Sequence, residues 1–375
     1  MKKNPKIISV EVAILELPTI RPHKLSMATM KNQTMVISRI TSEDGITGWG
    51  ESTTIGGMTY GPESPEGMKL TIEKYIAPHL IGQDATNINA LMHKIEKNVK
   101  GNTFAKAGIE TALLDAQGKR LGITVAEYLG GSISDKLPVL WTLASGNTEK
   151  DIEEAQHLVS IKRHDTFKLK IGSNEPKKDV AHVVAIKKAL GEDIRITVDI
   201  NQAWDEYNAK TWVKVLQDNG IDLIEQPIIK TNFEGLARLT EYFHVPIMAD
   251  EAVATTEDAM KLAKIRGGSV FAVKIMKTGG LNNAAKIAGM ANAADIGLYG
   301  GTMLEGTIGS VASAQVFSTF TNLSWGTELF GPLLLTDDFV TNPMVFRDCH
   351  LELPKKKPGL GLEIDEDKFK FYKRK

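Results

Sequence analysis

The chain has 375 residues, 42% of them hydrophobic, enough to bury a large core shared between two domains. Its 45 Lys and Arg offset 46 Asp and Glu, leaving a net charge of -1, so no basic excess exists to attract nucleic acid or an anionic membrane. The one cysteine, Cys349, excludes an internal disulfide, and no apolar run reaches the ~20 residues of a membrane span. Residues 1 to 20 begin basic, but Glu11 and Glu16 interrupt the apolar part, so they do not read as a signal peptide. A soluble, cytoplasmic protein is expected.

Residues 5 to 17 and 34 to 50 alternate β-favouring and polar residues, and E-D-G at 43 to 45 breaks the second run. That pattern predicts antiparallel strands with a hairpin turn at Asp44-Gly45. From 65 to 128 the period becomes helical, as in I-E-T-A-L-L-D-A-Q-G-K-R-L at 109 to 121. Residues 1–130 therefore read as an α+β domain.

After Pro138 the rhythm changes. Short β-rich runs, each ending in polar residues, alternate with helical segments: L-W-T-L-A-S, F-K-L-K-I, I-R-I-T-V-D, D-L-I-E, V-P-I-M-A-D, V-F-A-V-K, G-L-Y-G and L-S-W-G-T-E. Eight such units predict parallel pairing and a closed α/β architecture, a (β/α) TIM-like barrel over residues 131–343. The segment 344–375 lies beyond the last strand and is expected to return to the first domain and complete it.

Asp199, Glu225 and Asp250 each end a predicted strand, one β/α unit apart. In a barrel this puts three carboxylates on adjacent strands at the C-terminal rim, where barrel active sites lie. An all-oxygen set without Cys or His suits a hard cation, Mg²⁺ or Mn²⁺. The plainer reading is that each acid caps the following helix. Asn201 and Glu251, beside the acids, fit either a supporting role or ordinary loop polarity.

Lysines extend the pattern. Lys168 and Lys170 in T-F-K-L-K-I-G point to one face of their strand, and Lys274 ends the strand after Asp250. A lysine works as acid or base near neutral pH only if its pKa falls from ~10.4, and a neighbouring ammonium lowers it. Lys168 is accordingly expected to tune Lys170.

These residues resemble the enolase superfamily, muconate-lactonising branch, over essentially the whole chain. The likeness rests on T-F-K-L-K-I-G, T-V-D-I-N, D-L-I-E-Q-P, P-I-M-A-D-E and K-I-M-K-T-G-G, and on the longer L-P-T-I-R-P-H-K-L, T-T-I-G-G-M-T-Y-G, L-Y-G-G-T-M-L-E-G-T-I-G and W-G-T-E-L-F-G-P-L-L-L-T. Met276 and Thr278 depart from the branch's usual K-I-A-K-N-G-G. The resemblance implies metal ligands Asp199, Glu225 and Asp250, and acid/base Lys170 with Lys168 as partner. It also implies Lys274 across the substrate and Glu328 as a further catalytic group. Ile55 and Tyr60 would cover the barrel mouth, with Ala272, Phe330 and Asn201 completing the substrate pocket.

The implied reaction is Mn²⁺- or Mg²⁺-dependent closure of the dicarboxylate cis,cis-muconate to muconolactone through an enolate, in the catechol branch of the β-ketoadipate route. Relatives of this branch are usually homo-octamers. His23 and Lys24 would help attract the free carboxylate, or are surface polarity. Gly279-Gly280 and Gly300-Gly301 read as tight strand-to-helix turns rather than phosphate loops. Alternatives are a chloromuconate cycloisomerase, a dipeptide epimerase or a succinylbenzoate synthase. Outside the superfamily stand a non-catalytic barrel and a metal-dependent aldolase.

Overall fold

The computed structural model describes residues 4–24, 29–354 and 357–374. Three antiparallel strands, β1 (Ile7–Lys24), β2 (Thr29–Ser42) and β3 (Thr47–Thr53), form a sheet in that order. The turn at Asp44-Gly45 joins β2 to β3 as the sequence predicts, closed by Gly45 N–H to Ser42 O at 2.9 Å. β1 runs past the expected end at residue 17, with a register break between Pro18 and His23.

The helix Thr103–Leu121 is buried from Phe104 to Gly118. Its N-terminal half meets both β3 and the barrel, so no solvated face remains there. A Cβ on Gly50 would fall 1.9 Å from Gly108 O, so glycine at this crossing lets sheet and helix backbones touch.

The barrel sheet runs β5 (Trp141–Leu143), β6 (Thr166–Lys170), β7 (Arg195–Asp199), β8 (Leu223–Glu225), β9 (Ile247–Ala249), β10 (Val270–Val273) and β11 (Gly297–Gly300), all parallel and in sequence order. β4 (Lys136–Pro138) lies before β5 in a separate small sheet. The expected eighth strand is only a short bridge around Thr327, because Gly326 turns the chain at φ 66°. The ring still closes: Thr327 N donates to Pro138 O at 2.8 Å, and Glu328 N donates to Gly300 O at 2.8 Å.

Phe167 and Leu169 of β6 are buried under the surrounding helices, each such side chain contributing roughly 1.5–3 kcal/mol. Lys168 and Lys170 take the opposite face, toward the barrel axis. After β12 (Val345–Arg347) pairs with β13 (His350–Glu352), and β13 with β4, the chain returns to the first sheet. There Leu360 N donates to Asp115 Oδ1 at 2.8 Å, and Phe369 packs edge-to-face on Trp49 with ring centroids 5.5 Å apart.

Candidate active site at the barrel mouth

Asp199 and Glu225 are the last residues of β7 and β8, and Asp250 directly follows β9. Strand register makes Lys170 the neighbour of Asp199, and Asp199 the neighbour of Glu225. None of the three acids caps a helix: Asp205, Asn232 and Thr255 cap the helices that follow them. The capping explanation therefore fails, and each acid is free to face the axis. Backbone strain marks the same level, with Asn201 at φ 45° and Gln226 at φ 35°. Gln226 uses that twist to accept from Asp250 N at 2.9 Å and Ala252 N at 3.1 Å, fixing the bend that carries Asp250.

Each acid meets an ammonium. Lys170 Nζ lies 3.2 Å from Asp199 Oδ2, and Lys274 Nζ lies 2.7 Å from Asp250 Oδ2. Lys168 Nζ lies 2.6 Å from Glu225 Oε2 and donates to Glu328 Oε2 at 3.0 Å. Burial works against charge on Lys168, yet Glu225 and Glu328 hold its pKa well above the ordinary lysine value. Lys168 is thus an anchored cation committed to two carboxylates, not simply the repelling neighbour of Lys170 that the strand pattern suggests.

Glu225 and Glu251 remain short of hydrogen-bond donors. The Lys168–Glu225 pair is close but outside hydrogen-bonding alignment, so neither Glu225 oxygen receives a hydrogen bond, nor does Glu251 Oε2. Burial, then the charge on Asp199, pushes the Glu225 carboxyl well above its usual range. Burial and the charges of Asp250 and Asp199 push Glu251 up to about 7. Among the described residues the acids do not converge into a ready-made cage, since they lean on their lysines. Buried carboxylate oxygens that lack donors and repel one another suit a hard divalent cation, so the residues fit the expected metal.

Tyr60, from the loop after β3, reaches this centre: its hydroxyl donates to Asp250 Oδ2 and accepts from Lys274 Nζ, both at 2.9 Å. Ile55 is buried at the start of the same loop. Ala272, on β10, shares the inward face with Lys274. Phe330 is buried two residues beyond Glu328, with its ring centroid 5.1 Å from that of Trp141. Asn201 donates from Nδ2 to Glu251 Oε1 at 3.2 Å. The side chains of His23 and Lys24 lie outside the described residues.

Sequence reasoning missed Lys277, whose ammonium donates to Asp250 Oδ1 at 2.5 Å, to Asp250 O, and to Ala272 O at 3.2 Å. Its signal was K-I-M-K, which puts Lys277 on the short helix Ile275–Thr278 that starts beside Lys274. The glycine pairs also divide. Gly279 at φ 77° makes a turn, but between the short helix Ile275–Thr278 and the helix Leu281–Ala293 rather than directly off a strand, whereas a Cβ on Gly301 would sit 2.7 Å from Cε of Lys274. The second pair serves close packing, not a turn.

With this geometry in place, two family descriptions match the chain: "Mandelate racemase / muconate lactonizing enzyme, N-terminal domain" over residues 9–130, and "Enolase C-terminal domain-like" over 150–368. The chain belongs to the enolase superfamily. A superfamily member from Pseudomonas putida, "Muconate cycloisomerase 1", is 55% identical over 365 residues, covering 97% of both chains. The crystal structure of muconate lactonizing enzyme from Pseudomonas fluorescens complexed with muconolactone superposes with a TM-score of 0.97 at 57% identity, covering 99% of this chain and 100% of that one. A chloromuconate cycloisomerase from Cupriavidus pinatubonensis is 41% identical over 369 residues, covering 98% of this chain and 99% of its own.

Proposed function

We propose that the protein is a divalent-metal-dependent enzyme that closes cis,cis-muconate to muconolactone, with Mn²⁺ or Mg²⁺ held by Asp199, Glu225 and Asp250. The observation that carries this reading is the buried row of three acids between Lys170 and Lys274, with Glu225 Oε1 left without a donor and Oε2 facing only the Lys168 ammonium. When bound, the cation would supply Lewis-acid stabilisation to the substrate carboxylate on which negative charge builds, worth several kcal/mol.

The chain's own residues do the rest. One substrate carboxylate oxygen bonds to the diene carbon that closes a five-membered ring, and the electron pair moves toward the other carboxylate. Lys170 gives a proton to the carbon beside that carboxylate, a step worth roughly 10²–10⁴-fold. The dianion becomes a monoanion, so one proton enters per turnover. Lys274 offers positive charge from the far side of the acids, and Lys168 holds Glu225 and Glu328 in place. The loop of Ile55 and Tyr60 covers the mouth and excludes water. Ala272, Phe330 and Asn201 shape the remainder.

The reading takes residues 1–130 as the cover, 131–343 as the barrel and 344–375 as the returning segment. A cytoplasmic location is supported by the unpaired Cys349, and a homo-octamer by the family resemblance alone. Among the described residues no helix is long and apolar enough to cross a membrane. The second reading, a chloromuconate cycloisomerase, has the support of full-length similarity at the lower level of 41%. Loss of the muconate diene absorbance on adding Mn²⁺-loaded protein tests the proposal. An unchanged spectrum would overturn it.

A further inference from the structure

We propose that Gln33 and Glu51, two buried side chains of the first sheet, are positioning residues that grip the loop 301–306 and thereby set the pocket between Lys274 and Phe330. The proposal rests on the site assignment above, and extends it to residues far from the acids.

The loop joins β11 to the helix Thr307–Phe317 and is gripped from opposite polarities. Gln33, on β2, donates from Nε2 to Met303 O at 3.2 Å and to Leu304 O at 2.6 Å. Glu51, on β3, accepts Gly306 N on Oε1 at 2.7 Å and Gly309 N on Oε2 at 2.8 Å, so its carboxyl satisfies amides at the start of that helix. Thr53 supports Glu51 by donating to Oε1 at 2.7 Å. Gln33 is 2% exposed and Glu51 is fully buried, so water does not compete for these bonds.

What they hold is a strained turn. Leu304 sits at φ 59°, a left-handed conformation that a leucine keeps only when its surroundings impose it. Within the loop, Thr302 donates to Glu305 and Leu304 N donates to Thr302 Oγ1 at 2.9 Å. These internal bonds fix its shape but not its place on the barrel.

Place matters because both ends abut site residues. A Cβ on Gly301 would fall 2.7 Å from Cε and 2.8 Å from Cγ of Lys274, so the loop's start lies against that lysine's stem. At the other end a Cβ on Gly331, next to Phe330, would meet Glu305 O at 2.1 Å. The loop is wedged between the far-side lysine and the aromatic wall, and among the described residues the side chains of the first sheet that bond its backbone near Leu304 and Gly306 are Gln33 and Glu51. Displacement of reacting groups by about 1 Å can cost on the order of 10²-fold in rate.

Two variants act from the two sides: Gln33→Met removes both donors at similar volume, and Glu51→Gln removes one acceptor. Amide hydrogen exchange over residues 301–309 reads the grip without reference to any substrate, and should quicken at least ~10-fold in each variant. In turnover, kcat/KM for muconate should fall ~10–100-fold. The muconate to 3-chloromuconate ratio should shift, while Mn²⁺ affinity, read by electron paramagnetic resonance, stays unchanged. Unaltered exchange at 301–309 in both variants, or an unaltered substrate ratio, overturns the proposal. If the unmodified protein fails to lactonise muconate, the function falls while the exchange result still judges the grip.

Discussion

Lys274 and Asp250 share a 2.7 Å ion pair on the same carboxylate oxygen that the hydroxyl of Tyr60 reaches. Burial disfavours charge on both, yet Lys274 and Lys277 hold Asp250 well below the usual carboxylate range, and Asp250 holds Lys274 above the usual lysine value. A cation approaching Asp250 Oδ2 must therefore compete with Lys274. Lys274→Met should leave Mn²⁺ binding at least as tight while lowering kcat for muconate by ~10²-fold or more. Weaker Mn²⁺ binding in a titration would show that Lys274 supports the metal site instead.

Chelation should abolish lactonisation, and Mn²⁺ or Mg²⁺ should restore it. Glu225→Gln keeps the side-chain shape but removes a charge, so metal affinity should fall ~10-fold or more with the melting transition preserved. Normal turnover by chelated protein would remove Asp199, Glu225 and Asp250 from the metal.

Product formed in deuterium oxide should carry one deuteron, on the carbon beside the carboxylate that took up charge. Lys170→Ala should lose lactonisation and also exchange of that proton in muconolactone, whereas Lys373→Ala should lose neither. Normal exchange in Lys170→Ala, followed by proton NMR, excludes the lysine as donor.

Phe330 packs at 5.1 Å on Trp141, so its ring is fixed and should fill space that a chlorine would need. A size difference of this kind gives ~1–3 kcal/mol, or about 10–200-fold, in favour of cis,cis-muconate over 3-chloromuconate. Phe330→Ile should narrow that gap, mainly by improving kcat/KM for the chlorinated diacid. A gap that widens would assign discrimination to another residue.

Glu51 carries a pH dependence of stability. Burial outweighs its three donors, and the charge of Glu305 adds to burial, lifting its carboxyl from 4.5 to about 7. A raised folded-state value means that the folded protein holds the proton more tightly than the unfolded chain. The resulting stability is fully present below about 4.5 and is lost as pH rises through about 7. The scale is roughly 3 kcal/mol. Melting temperatures between pH 4.5 and 7 should therefore fall less steeply in Glu51→Gln than in the unmodified protein. Parallel curves would show that Glu51 is ionised throughout.

The rim acids and lysines were legible because one β/α unit separates each from the next, and barrel geometry turns that spacing into proximity. The hairpin at Asp44-Gly45 was legible from local turn chemistry. Lys277 was hidden because a lysine on the short helix beside the strand-end Lys274 reads as ordinary helix polarity. Gln33 and Glu51 were hidden for a different reason: their partners lie about 250–270 residues away, on backbone amides and carbonyls that carry no side-chain signature. The length of the eighth strand was misjudged because Gly326 sits inside an otherwise β-favouring run.

The return of residues 357–374 to the first sheet gives the chain a late step in its assembly. Asp115 uses one oxygen for Trp49 N, made early, and the other for Leu360 N, made only after the barrel residues have followed. Such pairings of distant segments are slow to form, because a long loop must close before any contact rewards it. On a ribosome the first sheet and its helix would wait, with Trp49 still missing its aromatic partner Phe369, until nearly the whole barrel had emerged. A chaperone that shields apolar surface during that interval would raise the yield of native protein more than one that acts after release.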